Sequence, residues 1–303
     1  MKSSINTDPK LANSTVGGSK RPPRLPIGHW LGVVPFFVFS ALFLIGPTLV
    51  LAYRSLEAPQ GGLTLEFYRQ LLDETVISAY SMSIRLSLTT AILGGIIGFL
   101  IAWAVSIGGL PRPFRSLTTT FSGVASNFAG VPLAAAFIFT LGRVGLVTAL
   151  FELLGVDLYR SGFNLYSFLG LTLVYLYFQI PLMVLVILPA IDGLKREWRE
   201  AAENLGATPI QYWRDVALPV LTPSILGTMI LLFGNAFGAH ATAYALTGGL
   251  FNLATLLIGQ QISGDVLNNP GLGYAVAMGM VIIMALSILI YSILQRRSER
   301  WLR

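Results

Sequence analysis

Few side chains in this sequence could perform covalent chemistry. Its 303 residues include no cysteine and only two histidines, His29 and His240. Thiolate nucleophiles and Cys-based zinc sites are excluded, and no multi-histidine metal site can form within one chain. Neither an HExxH pair nor a GxSxG elbow occurs. The lysines Lys2, Lys10, Lys20 and Lys195 follow Met, Pro, Ser and Leu, so the Gly-Lys step of a phosphate-binding P-loop is missing. We expect no catalytic residue, no metal and no cofactor. Any nucleotide chemistry the protein depends on must reside in another polypeptide.

What remains is a set of polar side chains embedded in apolar stretches: Asn127, Gln179, Asn235, His240 and Tyr244, with Thr242 two residues after His240. In a bilayer, such groups line a solute path or hydrogen-bond to neighbouring helices. His240 heads the pathway candidates as the one ionisable group among them near neutral pH; the other reading is that it and Asn235 serve packing alone. Gln179, beside Ile180-Pro181, is also placed to satisfy carbonyls freed by the proline. Arg85 is expected to snorkel towards the interface.

Composition sets the frame for these residues. Charged residues make up 11% of the chain and hydrophobic ones 54%, whereas a soluble domain carries about 25% charged residues. Six apolar stretches, at about 31–53, 80–107, 117–141, 166–190, 220–245 and 272–294, each approach the roughly 20 residues a bilayer requires. The net charge of +6 reads as loop asymmetry rather than a nucleic-acid surface. With the N-terminus inside, only Arg54, Arg69, Arg143 and Arg160 of the 20 Lys and Arg residues fall outside, and Arg85 is embedded. The positive-inside rule therefore predicts an all-α membrane protein with six transmembrane helices, N-in and C-in.

Residues 1–29, rich in Ser, Asn, Gly and Pro, read as a disordered cytoplasmic tail before a transmembrane domain over 30–303. Outside, Leu65–Leu72 predicts a short surface helix and Val147–Leu154 an interfacial one. Residues 246–271 read as a Gly- and Asn-rich connection. Gly94 with Gly98, and Gly271 with Ala275 and Gly279, form small faces suited to close helix packing, within the subunit or between subunits.

One polar island interrupts the later spans, at 192–219. Asp192 is expected to cap a helix from Gly193 whose face Leu194, Trp198, Ala201, Ala202 and Leu205 is left shallow by the Ala pair and open to a partner; the other reading is an amphipathic loop lying on its own membrane domain. Arg196 with Glu200 and Arg199 with Glu203 stand at i,i+4. Gly206 suits the C′ position. Thr208, Pro209 and Gln211 open a second helix with a capping box, with Ile210, Trp213 and Ala217 on its apolar side.

Within this island, Glu200-Ala201-Ala202, Gly206, Val216 and Leu218-Pro219 keep the spacing Glu-Ala-Ala, three residues, Gly, nine residues, Ile, one residue, Leu-Pro. Val216 replaces the isoleucine. This resembles the signature of permease subunits of binding-protein-dependent ABC importers, over about residues 30–303. The resemblance implies a type I ABC importer permease-like fold in a bacterial inner membrane, with a cytoplasmic coupling helix received by an ATPase. It carries the coupling role onto Glu200, Ala201, Ala202, Gly206, Leu218 and Pro219. The partners it implies are an ATP-binding cassette dimer, a second permease subunit (a copy or a relative), a periplasmic solute-binding protein and the bilayer.

The stretch Gly248-Gly249, Thr255–Gly259, Ile262 and Gly271–Ala275 is similar to the spermidine/putrescine-type branch. That branch implies a polyamine, phosphonate or ferric-iron solute, although none of the six spans carries the Asp or Glu a polyamine path would want. An ATP-independent transporter or channel, or a membrane scaffold, would need no such polar island.

Overall fold

The computed structural model describes residues 27–108, 111–263 and 269–299. Residues 1–26 of the expected tail lie outside that range, and helix begins at Ile27. The described residues fall into two compact units divided between Leu49 and Val50. α1 (Ile27–Ser40) passes through a π turn (Ala41–Ile45) into α2 (Gly46–Arg54). Pro47 explains the turn. A proline has no N–H to donate and clashes with the carbonyl four residues back. The Gly46 amide accordingly bonds back to Ala41 O, five residues away.

In the second unit, α3 (Glu66–Gln70) leads to α4 (Glu74–Ile107), and α5 (Arg112–Ala125), α6 (Val131–Leu141) and α7 (Leu146–Leu153) follow. Then come α8 (Phe168–Asp192), α9 (Arg196–Asn204), α10 (Pro209–Tyr212), α11 (Leu218–Phe237), α12 (His240–Thr247), α13 (Ala254–Ser263) and α14 (Pro270–Glu299). Among the described residues, six helical stretches are long and apolar enough to cross a membrane. The all-α class and the six crossings are those expected.

Three boundaries differ from the sequence reading. The third span, expected unbroken over 117–141, is two helices in series. By length and hydropathy the window Val131–Leu153 qualifies as a crossing, but contacts favour α5 followed by α6. Arg115 of α5 pairs with Asp192 at the cytoplasmic end of α8. Leu133 and Ala134 of α6 share a core with Leu165, Leu171 and Val174 at its other end. The fifth span, expected over 220–245, stops at Phe237 and resumes at His240. The connection over 246–271 holds α13, anchored where the Ala254 amide donates to Ser83 Oγ (2.9 Å) and the Asn252 amide to Thr75 O (3.0 Å). Its Asn268 lies outside the described residues.

α8 is the axis of this unit, with Val174, Tyr175, Gln179, Met183 and Ile187 fully buried. The small residues explain how neighbours come so close to it. A Cβ on Gly94 would stand 2.8 Å from Gln179 Cβ, and one on Gly98 2.7 Å from Ile180 O. On α14, a Cβ on Gly271 would overlap the Phe67 ring and one on Gly279 the Tyr80 hydroxyl. Both small faces therefore serve packing within the subunit. In lipid, where apolar side chains gain little by leaving the tails, such close van der Waals contact is what holds helices together.

Candidate functional site

The cytoplasmic island folds as a helical hairpin. α9 ends in a Schellman motif: the Ala207 amide reaches Ala202 O and the Gly206 amide reaches Glu203 O, both at 3.0 Å. Gly206 has φ +80°, a conformation that only glycine adopts without strain. Thr208 and Gln211 form the capping box at the start of α10. Arg196–Glu200 at 2.7 Å and Arg199–Glu203 at 2.9 Å brace the polar side.

The motif's Leu218-Pro219 has a local consequence. Residues Trp213–Ala217 form a second π turn, in which the Leu218 amide bonds to Trp213 O. As at Pro47, the wider turn relieves the carbonyl that Pro219 would otherwise strike. The hairpin thus enters α11 through a proline-enforced bulge.

One expectation for this segment is corrected. Asp192 does not cap α9, since it is the last residue of α8, and Lys195 holds the cap position without a side-chain bond. The Asp192 carboxylate instead accepts from Ser106 Oγ (2.7 Å) and from the Arg115 guanidinium. The face expected to be open to a partner is exposed. α9 buries none of its residues, Leu205 is 88% exposed and Ile210 79%. Leu194 alone of that face joins the inner core. The physical reason is the three-residue link from Gly193 to Lys195, which turns α9 away before its face can meet α8. Glu200 and Ala201 are exposed beside Leu205, and Ala202 is half-buried. Behind the hairpin, a groove of about 410 Å³ is lined by Trp103, Arg199, Glu203, Tyr212, Trp213 and Leu218, among others. Trp103 and Trp213 meet edge to face at 5.9 Å.

The second locus is a cavity of about 500 Å³ where the two interrupted spans meet. Ser126, Ala129 and Gly130 reach it from the α5–α6 break, Phe178 from α8, and Gly234 to Thr242 from the α11–α12 break. Gly130 holds the breaks together, its amide donating to Thr242 Oγ1 at 2.7 Å. With φ +75° and ψ −148°, Gly130 occupies a region essentially reserved for glycine. Gly130→Val should lower uptake by about tenfold or more through about 2 kcal/mol of strain, measured as transport per unit of membrane-inserted protein. Unchanged uptake would show that this backbone geometry is dispensable.

The five polar candidates separate here. Asn235 and His240 line the cavity. The His240 ring stacks on Tyr244 at 5.7 Å, and its Nδ1 donates to Thr255 O at 3.1 Å, tying α12 to α13. Asn127 lies in the α5–α6 break, where its amide donates to Gly123 O at 2.9 Å. Gln179 is fully buried: it donates to Leu232 O (2.8 Å) and accepts from Asn235 Nδ2 (3.2 Å). It stands one hydrogen bond behind the cavity and satisfies an α11 carbonyl, not one freed by Pro181. Ser126 and Gly130 were absent from the candidates. Gly130-Val131-Pro132, a glycine before a proline-started helix, was the available signal. Among the described residues, no Asp or Glu lines this cavity.

Three comparisons bear on these features. The chain matches the family described as binding-protein-dependent transport system inner membrane component over residues 94–303. It is 26% identical over 255 residues to the probable sulfate transport system permease protein cysT of Helicosporidium sp. subsp. Simulium jonesii, covering 84% of this chain and 89% of that one. It is 25% identical over 285 residues to the sulfate transport system permease protein CysT of Salmonella typhimurium, covering 88% and 95%. Among solved structures, a chain of a bacterial ABC transporter involved in the import of the acidic polysaccharide alginate matches with TM-score 0.70 and 17% identity, over 89% of this chain and 96% of that one. This last likeness is one of fold. The relatives carry sulfate names where the spermidine/putrescine-type branch was expected.

Proposed function

Since the chain belongs to the family of binding-protein-dependent transport system inner membrane components, we propose that it forms half of a translocation pathway for sulfate or a closely similar tetrahedral oxyanion. It is a multi-pass protein of the bacterial inner membrane and a transport subunit, not an enzyme. ATP is hydrolysed by a separate cytoplasmic ATPase pair. A second permease subunit completes the path, and a periplasmic binding protein delivers the solute.

The coupling role rests on the hairpin. Glu200, Ala201, Ala202 and Gly206 stand on a rigidly capped, exposed element with no partner surface of its own, and Leu218-Pro219 joins it to α11. Nucleotide-driven closure of the ATPase pair would move this element and switch the pathway between its two openings. A secondary transporter or scaffold has no use for it.

The solute assignment rests on the sulfate-named relatives, and the cavity lining is compatible with it. Hydroxyls from Ser126 and Thr242, the Asn235 amide and the His240 ring surround a space without carboxylates. A polyamine would find no counter-charge there, whereas O–H and N–H donors suit an oxyanion. Asn127 and Tyr244 complete the path in this reading, and Gln179 orients Asn235 from behind.

Radiolabelled sulfate and putrescine uptake distinguish the solutes. Proteoliposomes holding the permease pair, the ATPase and the binding protein should accumulate sulfate on ATP addition and leave putrescine outside. Uptake of putrescine and not sulfate would refute the solute assignment.

A further inference from the structure

The Asp192 carboxylate occupies a position that the transport reading does not use. It is the last residue of α8, with three residues between it and the start of α9. It accepts from Ser106 Oγ on α4 at 2.7 Å and from Arg115 on α5. One side chain thus ties three helices at the root of the cytoplasmic hairpin. From Arg115, α5 runs on to Ala125, about 15 Å at helical rise. Its far end carries Ser126 into the cavity, and the next helix start, Gly130, is bonded to Thr242. Any displacement of the hairpin reaches Asp192 through a link too short to absorb it.

We propose that the Ser106–Asp192–Arg115 cluster is a positioning latch that transmits movement of the α9–α10 hairpin into α5, and through α5 to the cavity. The inference rests on the coupling role assigned above. The side chains are 43% exposed at Arg115 and 34% at Asp192. A pair this open to water adds little stability, which suits a joint that must break and reform in each cycle. A buried pair would resist opening, because each charge would be stranded without water. Serine and arginine also divide the work. Ser106 holds one carboxylate oxygen against α4, while Arg115 holds the other against α5. Losing the charge on Asp192 frees α5 and leaves the hairpin itself intact, since its caps and ion pairs lie within 196–212.

The test uses the assembly in proteoliposomes and reads three quantities: ATPase subunit retained, ATP hydrolysis with and without loaded binding protein, and radiolabelled sulfate uptake. Asp192→Ala and Arg115→Ala should keep the ATPase subunit and basal hydrolysis. They should lose about tenfold of the stimulated hydrolysis and of uptake, within the range of typical coupling energies. The charge swap Asp192→Arg with Arg115→Asp should recover most of both. Asp192→Asn, which preserves shape, replaces Asp192→Ala if the latter is not recovered from membranes. Single variants with wild-type stimulation would overturn the latch. So would a swap no better than the singles, which reduces the residues to local structure. A wild-type assembly that hydrolyses ATP in response to binding protein without moving sulfate overturns the solute assignment alone, and stimulation then still reads the latch. A wild-type assembly that retains no ATPase overturns the coupling role itself, and the latch with it.

Discussion

Leu205→Asp will cost the permease at least about tenfold in retained ATPase subunit and in uptake, with its abundance in the membrane unchanged. Leu205 is 88% exposed at the tip of the hairpin, immediately before the left-handed Gly206. An apolar side chain held out on a rigid turn is placed to fill a partner's pocket, and the few residues that anchor an interface in this way cost about 2 kcal/mol or more when truncated. A charge there adds desolvation to the lost contact. The fold has nothing to lose by the change, because Leu205 makes its backbone cap through its amide alone, to Ala201 and Ala202 carbonyls. Glu200→Arg is the informative companion. It breaks the Arg196–Glu200 pair, an exposed ion pair worth under about 1 kcal/mol to stability, so any large effect on uptake must come from the ATPase face. Co-purification of the ATPase with tagged permease, set beside uptake, measures both. Wild-type recovery and uptake for Leu205→Asp would remove the hairpin from the coupling role.

Much of this architecture was legible from residue order because a bilayer enforces it. Backbone groups in lipid must be satisfied internally, so apolar runs become helices and loop charge sets their direction. The hairpin was legible for a different reason. Its signals are local: Gly206 ends one helix, and Thr208, Pro209 and Gln211 start the next within a few residues. What stayed hidden depends on residues distant in the chain. Asp192 has the composition of an N-cap, and only the approach of Ser106 and Arg115 assigns it otherwise. Gln179 and Asn235 look alike in apolar surroundings, yet one is sealed behind α11 and the other opens on the cavity. The two broken spans read as continuous because hydropathy runs on through Gly130 and Gly238. A break costs little hydropathy, and only its partner across the interface, Thr242 for Gly130, reveals its use. α13 escaped because turn residues on either side masked ten residues of helix between them.

The same limit governs the glycines, and it yields the largest stability prediction. Gly98 and Gly123 are indistinguishable by type, each within an apolar or amphipathic helix. Their surroundings are not alike. A Cβ at Gly98 would stand 2.6 Å from Met183 Cβ and 2.7 Å from Ile180 O, whereas one at Gly123 meets nothing within 4 Å. The carbonyl at Gly98 belongs to the backbone of α8 and cannot rotate aside, so Gly98→Leu must push α4 and α8 apart. Overpacking of this kind costs about 1–3 kcal/mol, and here the separation also loosens Gly94 against Gln179. With it goes the bond from Gln179 to Leu232 O and the support for Asn235 at the cavity. Lipid offers no compensating hydrophobic gain, since a leucine at the seam is no better off there than facing acyl chains. Gly98→Leu should therefore lower the thermal unfolding midpoint of the purified protein and its yield from membranes, and Gly123→Leu should leave both close to wild type. Light-scattering or fluorescence melts of the two variants side by side give the answer. Equal midpoints would mean that α4 and α8 do not meet at Gly98 as tightly as the structure has them, and the support it gives to Gln179 and the cavity would fall with that contact.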